Sequence, residues 1–105
     1  MERGEIRWYV FKSPDKKRPV VILTRNSIID YLGEVTIAPI TSKVRNIPTE
    51  VILGKEDGMN VECAVNLDHI QTVSKKKVGS LISKLSQKKM DEIKKPLLFA
   101  LGFDR

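Results

Sequence analysis

Apolar and polar positions alternate near the start of the chain. Ile6, Trp8 and Val10 fall on one face, and Arg7, Tyr9 and Phe11 on the other. That period of two predicts a short strand over Ile6 to Phe11. Lys12 to Arg18 follows as its loop, with Ser13-Pro14-Asp15 as the turn signal. Val20 to Leu23 is almost entirely apolar, as in a strand buried on both faces. Pro19 suits the first position of that strand, because it fixes φ and lacks an N–H. Arg18 is then expected at the strand's mouth, biased to extended geometry by the proline after it. Asn26 reads as the cap of a helical turn through Tyr31, with Gly33 as its stop. Glu34 to Ile40 is the next strand and runs into two adjacent hydroxyls, Thr41 and Ser42.

The second half continues in short pieces. Lys43 to Asn46 is a basic loop, and Pro48 introduces a strand over Thr49 to Leu53. Gly54 to Gly58 is a turn by its glycines and charges. Glu62 to Leu67 and Ile70 to Val73 read as strands, either two separate ones or one broken near Asp68-His69. Lys75 to Lys77 is a solvated basic turn, and Gly79 to Leu85 a last extended piece. Ser86 then caps a helix to about Leu101, whose Met90, Ile93, Leu97, Leu98 and Leu101 share a face. Pro96 inside it predicts a kink or one open hydrogen bond. Six or seven strands and a terminal helix predict a mainly β (α+β) fold. The expectation is one domain over residues 1–105, a small, strongly bent barrel with helices packed outside.

Composition narrows the partners. Nineteen lysines and arginines against thirteen acids give a net charge of +6, with several cations in loops. Lys16, Lys17, Arg18, Lys43 and Arg45 form a field that attracts a polyanion, nucleic acid first. A merely solubilising surface explains the charge equally well. A single cysteine, Cys63, excludes an internal disulfide and favours a reduced, cytoplasmic setting. No apolar run reaches the roughly 20 residues of a membrane span, and the N-terminus has no apolar signal core.

One histidine, one cysteine and unclustered acids offer no zinc set and no two-metal site. No glycine loop is present to cradle a phosphate, so no cofactor is expected. RNA, however, carries its own nucleophile, the ribose 2′-hydroxyl. A protein cutting it must align groups, stabilise phosphoryl charge and move protons. Arg18 offers forked donors that match a phosphate, and Thr41 and Ser42 can donate to a non-bridging oxygen. Each has a plainer reading: a solvated cation, and a turn or cap hydroxyl pair. Trp8 and Tyr9 could stack bases, yet one of two adjacent strand residues should face the core. His69 beside Asp68 could titrate as a pair, although a structural histidine is the commoner case. These residues alone lead to a basic barrel able to bind RNA.

The order of segments adds more. Arg3-Gly4-Glu5-Ile6, Arg18-Pro19-Val20-Val21-Ile22-Leu23, Ala38-Pro39-Ile40-Thr41-Ser42 and Asn66-Leu67-Asp68-His69-Ile70-Gln71-Thr72-Val73 resemble the MazF/PemK toxin family. The tail, Gly79 to Leu85 and then a helix ending Leu97-Leu98-Phe99-Ala100-Leu101-Gly102, fits as well. The resemblance implies an SH3-like barrel that dimerises and cuts single-stranded RNA without metal. It also implies neutralisation by a cognate antitoxin. On the matching motifs Arg18 and Thr41 are the catalytic pair, with Ser42 beside them, and Asp68, His69 and Gln71 lie in the RNA-binding segment. Two features depart from the family. The first loop is short, with Asp15 only loosely replacing a glutamate, and Gln71 stands where arginine is frequent. Two other readings stay open: a gyrase-poisoning toxin of the same fold that acts by binding protein, and a non-catalytic nucleic-acid-binding barrel.

Overall fold

The computed structural model describes residues 1–12 and 16–104. The turn expected at Ser13-Pro14-Asp15, and with it Asp15, lies outside the described residues. Seven antiparallel strands and two helices follow in order: β1 (Glu5–Phe11), β2 (Lys16–Ile22), α1 (Asn26–Ile29), β3 (Glu34–Thr41), β4 (Glu50–Leu53), β5 (Cys63–Asn66), β6 (Gln71–Ser74), β7 (Val78–Lys84) and α2 (Gln87–Leu101).

β3 organises the sheet. One edge pairs with β2 through Ile37, Ala38 and Pro39. Its other edge carries two strands, β6 along Glu34 to Ile37 and β5 at Ile40 and Thr41. The expected break explains this: a 3-10 turn over Leu67–His69 divides one strand into β5 and β6. The hydrogen-bonded path runs β4-β5-β3-β2-β1-β7. Among the described residues no ladder joins β4 to β7, so the barrel-like sheet is open.

The all-apolar stretch in β2 is explained by a core on each side. Val21, followed by Leu23 past the strand's end, packs inward with Ile6, Ala38, Ile40, Leu53, Val65 and Leu67, under Ile93 of α2. Val20 and Ile22 pack outward with Ile29, Val35, Ile37 and Val73, and Tyr9 and Phe11 lie against them. Burying a side chain of this size contributes about 1.5–3 kcal/mol, so both faces of β2 anchor the fold.

Three local expectations change. β2 begins at Lys16, so Arg18 lies inside the strand rather than at its mouth. Pro19 is tolerated there because the β2–β3 pairs begin only at Val20, opposite Pro39. Asn26 does not cap α1. Arg25 holds the cap position, and the Asn26 side chain accepts a bond from the Arg3 N–H at 2.7 Å. Lys75 is not simply solvated: its Nζ donates to the Ile29 carbonyl at 2.8 Å, tying the β6–β7 turn to α1.

The tail follows its sequence. Ser86 Oγ accepts from the Lys89 N–H at 3.1 Å, and Gly102 ends α2 at φ +79°. Pro96 lies within α2, where no N–H is left to bond the preceding turn. No helix among the described residues is long and apolar enough to cross a membrane.

Candidate functional site

The outer face of the sheet positions the site. Strand alternation directs Lys16, Arg18, Val20 and Ile22 to one side of β2. The ladder places Tyr9 opposite Arg18 and Phe11 opposite Lys16. On the other flank Val20 pairs with Pro39. Arg18 lies two residues before that last pair on β2, and Thr41, the last residue of β3, two residues after it. Tyr9 and Arg18 thus form a row across β1 and β2.

A pocket of about 290 Å³ opens beside this row, lined by Phe11, Lys16, Arg18, Pro39, His69 and Gln71. Gln71 reaches it because it pairs with Ile37 and shares that strand's outer face. His69 arrives from the 3-10 turn just before β6. Four residues expected at the site therefore meet in one wall. Two of them are cations and none is an acid, so the pocket suits an anion.

Thr41 and Ser42 are not part of that wall. Thr41 is half-buried, and its Oγ1 accepts from the Lys43 N–H at 3.1 Å. That bond orients the side chain and leaves its own proton free to donate outward. Ser42 is exposed on the bend that follows.

Other expected residues lie elsewhere. Lys17 points to the opposite face, with Nζ 4.9 Å from the centre of the Trp8 ring. It is thereby separated from Lys16 and Arg18, and Trp8 is covered as a stacking surface. Lys43 and Arg45 are exposed in the segment after β3, and the Arg45 N–H donates to Glu50 Oε1 at 2.9 Å. Asp68 is held by its neighbours: Oδ2 accepts from Thr49 Oγ1 at 2.6 Å, and its N–H donates to Asn66 Oδ1 at 3.0 Å. Asp68 braces the start of β4, and His69, exposed in the pocket wall, stands apart from that bracing.

Sequence reasoning passed over Phe11 as a pocket residue. Its face was legible from alternation with Tyr9, but its partner Lys16 follows only from the ladder.

Two titratable groups outside the pocket have shifted pKa values. Glu5 and Arg7 on β1 pair at 2.7 Å, and Arg7 also donates to the Gly79 carbonyl at 3.0 Å. Burial pushes the Glu5 carboxyl up, but Arg7 and a hydrogen bond from the Glu2 backbone N–H together hold it below the usual carboxylate range. Burial raises the Cys63 thiol, aided by Asp57 and Glu62, so it is kept protonated and unreactive. Among the described residues no three His, Cys, Asp or Glu side chains are grouped to hold a metal ion.

Comparison with known proteins agrees with this architecture. The probable endoribonuclease MazF2 of Mycobacterium tuberculosis is 31% identical over 103 residues, covering 97% of this chain and 99% of that protein. Endoribonuclease MazF3 of the same organism is 46% identical over 59 residues; the match spans 56% of this chain and only 57% of that relative's length. Among solved structures, the Mycobacterium tuberculosis toxin MazF-mt6 superposes with a TM-score of 0.87 at 33% identity, covering 96% of this chain and 99% of that one. An endoribonuclease in complex with its cognate antitoxin, from a mycobacterial species, gives 0.85 at 26% identity, over 97% and 95% of the two chains. Residues 2–101 match the family model, and the chain belongs to the PemK-like, MazF-like toxins of type II toxin–antitoxin systems.

Proposed function

We propose that this chain is an endoribonuclease that cuts single-stranded RNA through attack of a ribose 2′-hydroxyl on the adjacent phosphate. The observation that carries the reading is the convergence of Arg18, Lys16, His69 and Gln71 on one pocket, with Thr41 at the end of the adjoining strand β3. Endoribonuclease relatives of the same family support it.

In this mechanism the Arg18 guanidinium receives the scissile phosphate with two parallel donors and offsets charge as it grows on the phosphoryl oxygens. Thr41, with Ser42 next to it, donates to a non-bridging oxygen. The 2′-oxygen forms its bond to phosphorus as the bond to the 5′-oxygen breaks. The products are a 2′,3′-cyclic phosphate and a 5′-hydroxyl. The 2′-proton passes to solvent water with attack, and water returns a proton to the departing 5′-oxygen. Lys16 supplies attraction for the RNA backbone, and Lys43 and Arg45 extend the field.

A cognate antitoxin that covers the RNA site is the partner of this activity, and the activity belongs to the cytoplasm. A two-fold homodimer would cover Phe99, Leu101 and Phe103, which stand 47%, 50% and 71% exposed at the end of α2. The test is incubation of the purified protein with a long single-stranded RNA in EDTA. Cleavage with cyclic-phosphate and 5′-hydroxyl ends supports the reading. Products with 5′-phosphates, or a strict magnesium requirement, overturn it.

A further inference from the structure

We infer that Phe11 is a specificity-determining residue, the stacking platform for a nucleobase next to the scissile phosphate. This rests on the ribonuclease reading and adds the subsite that fixes where the strand lies.

Phe11 ends β1, and its ring is half-buried in the pocket wall beside its ladder partner Lys16. Two contacts hold it in place. The Tyr9 ring meets it edge to face, with centroids 4.8 Å apart and planes at 72°, the favoured geometry for an aromatic pair. The outer apolar cluster packs against it from below. A ring supported in this way presents an aromatic surface with little conformational freedom left to lose. Its neighbours complete the chemistry of a nucleotide. Buried Pro39 contributes an apolar surface, Arg18 and Lys16 offer positive charge, and Gln71 brings an amide from a backbone position fixed by Ile37. An amide can pair two atoms on one base edge, which a methylene chain or ammonium cannot. With two cations and no acid in the wall, an anionic guest with a flat apolar part fits best. A nucleotide has both.

Aromatic stacking is tolerant of base identity, so Phe11 sets position and Gln71 sets preference. One stacked base is worth about 5- to 100-fold in affinity on this basis.

The experiment uses a short RNA with a single 2′-deoxy substitution at the cleavage site, so that binding is read without cutting. Affinities are compared with each of the two flanking bases present or removed as an abasic nucleotide. In the parent protein, removal of one flanking base should weaken binding about 5- to 100-fold. In Phe11→Leu the intact RNA should bind that much more weakly, and removal of the same base should cost little more. Phe11→Trp should restore the base dependence. Sequencing of 5′-hydroxyl ends from a long RNA should show the parent's preference relaxed in Gln71→Ala. Should Phe11→Leu not fold, the abasic series on the parent together with Phe11→Trp decides. If neither flanking base matters to the parent, or if its loss costs Phe11→Leu as much, the subsite is refuted. A parent that binds with base dependence yet never cuts unmodified RNA refutes the cleavage reading and leaves the platform standing.

Discussion

Arg18 lies two residues before Val20 on β2, and Thr41 two residues after Pro39 on β3, each just beyond Val20–Pro39, the last pair of the β2–β3 ladder. The anchored pair Val20–Pro39 therefore sets where the proposed phosphate clamp and the proposed hydroxyl donor leave the ladder. Each residue lies in a strand anchored by two cores, which limits how far either can move when RNA binds.

The first prediction follows from that arrangement. Arg18→Ala removes a preorganised donor set and should lower the cleavage rate by about 10²–10³. Thr41→Val keeps the branched shape and deletes the hydroxyl, so its loss should be smaller and confined to catalysis. Both variants should give the parent's circular dichroism spectrum and retain antitoxin binding. An Arg18→Ala protein that cuts RNA at the parental rate would remove Arg18 from the site.

Lys16 and Lys17 provide an internal control. Adjacent in sequence, they project from opposite faces of β2, Lys16 into the pocket and Lys17 over Trp8. Lys16→Glu should reduce the dependence of log affinity on log salt by about 1, the release of roughly one counterion. Lys17→Glu should change it much less. Equal effects from the two substitutions would show that the cations act as a diffuse field, without a defined path for the strand.

His69→Ala separates a structural role from a functional one. The side chain is exposed in the pocket wall, while Asp68 next to it is the residue bonded to Thr49. The melting temperature should stay within about 2–4 °C of the parent, as for a surface substitution away from special contacts. Cleavage should fall measurably under the same conditions. Asp68→Ala should do the reverse, lowering the melting temperature because Thr49 and the start of β4 lose their acceptor.

How much was legible in the sequence differs by element. Periodicity exposed the strands because one- or two-sided burial dictates which positions are apolar, and Val20 to Leu23 read correctly as buried twice. Ser86 announced the start of α2 through capping chemistry that is local by nature. Asn26 misled for the opposite reason. Its side chain is a good cap, but Arg3, distant in sequence, competes for it. The same limit applied at the site. Arg18, Lys16, His69 and Gln71 were legible as types, and their meeting was not, because it depends on β6 sharing the edge of β3. Lys17 looked equivalent to Lys16 until strand alternation was tied to an actual start for β2.

The last prediction concerns acid stability and the Glu5–Arg7 pair, which joins β1 to β7 through the Gly79 carbonyl. Both side chains are mostly buried, so solvent screens the pair less than it would an exposed one. Burial alone would favour a neutral Glu5, yet Arg7 and a hydrogen bond from the Glu2 backbone N–H hold its folded pKa below the unfolded value. A depressed folded pKa means that the unfolded chain takes up the proton first as pH falls. The stabilisation is therefore complete above the unfolded carboxylate range and disappears as pH drops through the lower, folded value. Glu5→Gln should be about 1 kcal/mol less stable than the parent at neutral pH, since a charge-assisted bond becomes a neutral one. That corresponds to a melting temperature lower by about 4–8 °C for a domain of this size. The two proteins should converge at acid pH, where the parent's Glu5 is protonated as well. Thermal melts of both across the acid range test this, and a gap that stays constant down to the lowest pH would show that Glu5 contributes through shape rather than charge.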